Sequence, residues 1–100
     1  MKIPDKIKIG GHWINIEMVG DKELESDLGK FNNWYQCIQI NKTDTSEDIQ
    51  AETFLHEILE GIIKKYEIKL KHQDRTIISE GLFQVIIDNN LDFKVNTSDK

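Results

Sequence analysis

Cys37 is the only cysteine among the 100 residues. A lone thiol cannot close a disulfide within the chain, and such a chain fits a reducing cytoplasm. Basic runs are missing as well. The formal net charge is -5 and the pI about 5.1, so nucleic acid is not an expected ligand, because phosphate contacts need clustered Lys and Arg. Lys64, Lys65, Lys69 and Lys71 come nearest to a patch and read as a solvated helix end. No segment has the apolar length to cross a bilayer, and the opening MKIPDKIKI lacks the apolar core of a secretory leader. Internal repeats and low-complexity tracts are absent too.

What is present is 38% apolar and 31% charged, the make-up of an ordinary globular protein with one modest core. The expectation is a single domain over residues 1–95 and a frayed tail over 96–100.

Ile7 and Ile9, then Ile14, Ile16 and Met18, stand at alternate positions, the mark of half-buried strands. Gly10-Gly11 between them suits a tight hairpin turn, and Trp13 falls on the opposite side. Residues 19–33 are polar and broken by Gly20, Gly29 and Asn32-Asn33, which reads as a loop with one helical turn near Lys22–Asp27. Alternation returns over Trp34–Asn41, a third strand rich in aromatic and β-branched residues.

The turn NKTDTS leads to Thr45 or Ser46 as N-cap, with Glu47 and Asp48 placed to favour a helix start. The spacing predicts a helix to Tyr66 that buries Phe54, Leu55, Ile58, Leu59, Ile62 and Tyr66. Gly61 inside it costs about 1 kcal/mol relative to Ala, which close packing against a neighbour would explain. After a short connection, Asp74 or Thr76 caps a second helix to about Asn89, burying Ile78, Leu82, Val85 and Ile86. A short extended segment over 91–95 follows. The order β-β-β-α-α implies an α+β fold: a small antiparallel three-stranded sheet under two helices.

The first of these helices carries His56, Glu57 and Glu60 as His-Glu-x-x-Glu. On a helix, residues i and i+4 project from one face a turn apart, so His56 and Glu60 can grip one ion. Each also has a plain reading. His56 could be a hydrogen-bonded residue at the edge of the core, and Glu60 could pair with Lys64 for about 0.3–0.5 kcal/mol. Glu57 could be a solvated acid and Glu80 a first-turn acid that favours the helix dipole. Cys37 has no catalytic motif around it and reads as a small packed side chain, and His12 lies at a turn. Trp34 and Tyr35 are sheet cover, or the lining of a cleft.

TFLHEILEGI, followed by ISEGLFQVIIDN and preceded by IKIGGHWINIE, resembles a group of short phage and prophage proteins that are themselves similar to minimal zincin metallopeptidases. The likeness spans most of the chain and implies a minimal zincin-like fold in a bacterial host cytoplasm. It makes His56 the first metal ligand, and Glu57 the base toward water activated by the metal. Glu60 stands where many of the group carry a second histidine. The next helix is then expected to supply the remaining ligand, with Glu80 as the candidate, and His72 in the connection competes with it. Zinc is the first expectation for the divalent metal, manganese or another hard ion the second, since a set of His56, Glu60 and Glu80 is rich in oxygen. The implied activity is hydrolysis of a peptide or amide. The alternatives are a non-catalytic module that binds a phage or host protein, and a structural metal clip between the helices.

Overall fold

The computed structural model describes residues 2–91; the expectations for 92–100, with the boundary at 95, lie outside them. The chain forms β1 (Lys6–Ile9), β2 (His12–Val19), α1 (Asp21–Leu24), β3 (Gly29–Asn32), β4 (Cys37–Asn41), α2 (Glu47–Tyr66) and α3 (His72–Asp88). The class is α+β as the pattern implies. The sheet departs from the expectation: it has four strands in the order β1-β2-β4-β3, and β2 runs parallel to β4.

β1 and β2 form the expected hairpin, with Ile7 opposite Ile14. Gly10 takes the positive φ of 58° that its turn needs. Residues 19–33 are not a loop alone. They carry the chain around to an edge, where β3 pairs antiparallel with β4, Phe31 opposite Ile38. A crossover of this length lets β4 return parallel to β2, which a short hairpin could not do. β3 has no signature in the sequence, because its residues, GKFN, include one apolar side chain, too few to show a period.

The third expected strand is shorter than its alternation suggested and starts at Cys37. Asn32 Oδ1 accepts the backbone N–H of Trp34 at 3.0 Å and of Tyr35 at 2.9 Å, folding both residues into a turn. Trp34 is 86% exposed.

The inner face of the sheet supplies Ile9, Ile14, Ile38 and Ile40, which close over Phe54 of α2 as the core. On the outer face the ammonium groups of Lys6 and Lys8 lie over the Trp13 ring, 4.7 and 5.6 Å from its centroid. α2 starts where Ser46 Oγ accepts the Ile49 N–H at 3.2 Å, and Lys64 and Lys65 favour its carboxyl end.

α2 buries Phe54 and packs Ile58 and Ile62 against the core as expected, but its buried face extends further round the helix. It buries Thr53, Glu57 and Gly61, one turn apart each, and leaves Tyr66 61% exposed. The cause is the close approach of β3 and β1. A Cβ on Gly29 would meet Thr53 Cγ2 at 2.5 Å, and one on Gly61 would meet Ile9 Cδ1 at 2.7 Å and Phe31 Cε2 at 3.2 Å. The helix-weakening glycine is thus explained by contact. α3 packs chiefly on α2. Of its expected buried side, Ile78, Leu82 and Val85 are exposed, and Ser79 is the residue it buries. Among the described residues no helix is long and apolar enough to cross a membrane.

Candidate metal centre

A cleft of about 640 Å³ lies between β3 and the two long helices, with His56, Glu57 and Glu60 on one wall and His72, Ser79 and Glu80 on another. Leu28 and Phe31, on and before β3, form part of the third wall. Trp34 and Tyr35 are not among its lining residues.

His56 and Glu60 face each other as the helical spacing requires, Nε2 to Oε1 3.8 Å. α3 starts at His72, earlier than Asp74 or Thr76, so His72 stands on a helix rather than in the connection. Thr76 does not cap; its hydroxyl donates back to the His72 carbonyl at 3.3 Å. Lys71, in extended conformation, precedes the helix with no side-chain cap. The earlier start carries His72 to the site: its Nδ1 lies 4.0 Å from Glu60 Oε1. The two imidazole rings meet edge to face, with centroids 5.9 Å apart.

The ligand atoms of His56, Glu60 and His72 all lie within 4.8 Å of one another, so the group could hold a metal ion. A tetrahedral ion bound at about 2.0–2.1 Å sets its ligand atoms about 3.3 Å apart. Closing to that spacing takes small side-chain rotations, which the 79% exposure of the His72 side chain permits. Glu80 lines the same cleft from α3 but stands outside the three-residue group.

Two residues not picked out from the sequence fix this group. Ser79 is 1% exposed, and its hydroxyl donates to the Thr76 carbonyl at 3.0 Å. With its one proton so engaged, Ser79 Oγ can only accept from His56 Nδ1, at 3.1 Å. The Nδ1 side of the His56 ring is thereby held to Ser79, and Nε2 faces Glu60. Arg75 donates from Nη1 to Glu60 Oε2 at 2.9 Å and from Nε to the Leu70 carbonyl at 2.9 Å. The signal available in the sequence was a polar line, His72, Thr76 and Ser79, on a helix otherwise rich in Ile, Leu and Val.

Glu60 Oε1 is left over. Among the described residues it is the buried side-chain oxygen with no hydrogen-bond partner. An orphaned carboxylate oxygen in such a place is costly unless something absent from the polypeptide meets it. Two imidazoles and one carboxylate are also the composition of a known class of catalytic zinc site, so these residues fit the ion.

Glu57 is 6% exposed, beneath β3. Burial first, and the nearby Glu60 carboxylate second, push its carboxyl up from 4.5 to about 7, while the Phe31 backbone N–H opposes the rise. Cys37 is buried, and burial raises its thiol above the usual value, which leaves it a poor nucleophile. Comparison with protein-family models, with curated proteins and with solved structures gives no match to the chain.

Proposed function

We propose that the cleft binds a divalent ion through His56, Glu60 and His72 and hydrolyses a peptide or amide bond beside it. The observation that carries this reading is the partnerless Glu60 Oε1, set between two imidazole nitrogens at 3.8 and 4.0 Å. The His-Glu-x-x-Glu spacing of His56, Glu57 and Glu60 on one helix supports the same reading. Zinc suits the set first, because with His72 rather than Glu80 as third ligand it holds more nitrogen than oxygen. A bound ion would supply Lewis-acid activation of water and of the scissile carbonyl.

The chain's own residues divide the remaining work. Ser79 holds the His56 ring in one orientation. Glu57, on the same cleft wall as His56 and Glu60, would take the proton from attacking water and return it to the leaving amine. β3 is an edge strand whose Gly29, Lys30 and Phe31 line the cleft. Apart from the Phe31 N–H, which turns to Glu57, its outer edge could offer backbone groups to an extended peptide, which favours a peptide as substrate or partner.

A second reading has its own observation. α3 buries little besides Ser79, and the three ligands join it to α2. An ion there would clip the two helices together in a protein that binds partners without cleaving them. Metal analysis of the purified protein tests both. One zinc per chain, lost together with thermal stability in His56→Ala and Glu60→Ala, is the expected result. No bound metal and unchanged melting in chelator overturn both readings. A retained ion with turnover unaffected by Glu57→Gln leaves the clip.

A further inference from the structure

We propose that Arg75 is the residue that sets the metal preference of this site, by deciding how Glu60 presents its carboxylate. The inference rests on the ion-binding reading above and extends it to a residue that touches no ion.

Glu60 has two oxygens with different surroundings. Oε2 is taken by Arg75 Nη1 at 2.9 Å; Oε1 is buried, has no hydrogen bond, and faces both imidazoles. The guanidinium is itself held, since Nε donates to the Leu70 carbonyl at 2.9 Å in the connection before α3. Its side chain is 20% exposed and that of Glu60 16%, so the pair is sheltered from the screening that weakens surface ion pairs. A planar fork anchored at one nitrogen has little freedom to follow the carboxylate if it turns. Glu60 is therefore limited to one oxygen for any ion between the imidazoles.

Two consequences follow for the ion. One oxygen and two nitrogens leave room for a single further ligand around a small tetrahedral ion, the habit of zinc. The permanent positive charge of Arg75 also offsets that of the carboxylate, and hard ions such as manganese or calcium depend on anionic, often bidentate, oxygen. Without Arg75, Glu60 could turn and offer both oxygens with its full charge. The site would then suit larger coordination numbers better and zinc less. Arg75 is in this sense a positioning residue, acting through Glu60.

The test is the ratio of dissociation constants for zinc and for manganese, measured by calorimetric competition on the metal-stripped full chain. The variants are Arg75→Met, which has no charge and no donor, and Arg75→Lys, which keeps the charge without the fork. In Arg75→Met the preference for zinc is expected to narrow by about tenfold or more, the scale on which outer-shell partners act. Arg75→Lys should fall between it and wild type, and stays informative if the Met variant does not fold. A merely structural ion pair would weaken both metals by one factor. An unchanged ratio in the folded variants therefore overturns the inference while the ion-binding reading stands. A wild-type chain that binds neither metal overturns both.

Discussion

Replacing Glu57 with Gln should make the metal-free protein more stable above about pH 4.5, by a margin that grows until the pH passes about 7. The side chain is 6% exposed and lies where β3 crosses α2, its Cγ 3.3 Å from the place a Gly29 Cβ would take. In that setting the carboxyl ionises at about 7 rather than 4.5. Below pH 4.5 the folded and unfolded chains both carry the proton, and Glu57 adds no pH dependence. Between 4.5 and 7 the unfolded chain loses the proton while the folded chain keeps it, so stability falls as pH rises. Above 7 the folded chain holds a buried carboxylate at full cost. At about 1.4 kcal/mol per pH unit the difference amounts to about 3 kcal/mol. Gln has nearly the same shape and no proton to lose. Urea unfolding of chelator-treated wild type and Glu57→Gln at a series of pH values reads the effect directly. The two midpoints should lie close together near pH 4.5 and separate by pH 8.5, with the variant ahead. Parallel profiles, or a wild type that is the more stable at pH 8.5, would refute the account of Glu57 as a buried, destabilising acid.

Ser79→Ala removes the acceptor for His56 Nδ1 and frees the ring to turn, so zinc affinity measured by calorimetry should drop by about 10- to 100-fold with the helical circular dichroism kept. Gly29→Ala drives a methyl into Thr53 Cγ2, 2.5 Å away. It should cost about 1–3 kcal/mol in urea unfolding, part of which Thr53→Ser, lacking that methyl, should restore.

Residues whose roles depend on spacing along one element were legible in the sequence. His56 and Glu60 come together because four residues make one helical turn, and the β1–β2 hairpin follows from alternation around Gly10-Gly11. Roles that depend on how elements lie against each other were not. The pattern of Phe54, Leu55, Ile58 and Ile62 gives the apolar stripe of α2. The helix nevertheless turns Thr53, Glu57 and Gly61 toward the sheet, because only small or flexible groups admit β3 so closely. β3 itself depends on its pairing with β4, and GKFN has no period to betray it. His72 was visible as a candidate, but its place in the site hangs on a helix that begins without a side-chain cap. Ser79 and Arg75 gain their roles only through partners on α2 and in the connection before α3.

The seating of α3 has a dynamic consequence. This helix leans chiefly on α2 and takes little part in the core, so it is the element expected to open first while the sheet and α2 stay folded. Detachment removes His72, Ser79 and Arg75 at one stroke and leaves His56 and Glu60 behind as a bare pair. Amide protons of α3 should then exchange through a local opening, faster than those of α2. Any ligand gripping both helices would slow that opening in proportion to its concentration. Occupancy of the cleft is thus written into the breathing of one helix, where exchange measurements can read it without knowledge of the substrate.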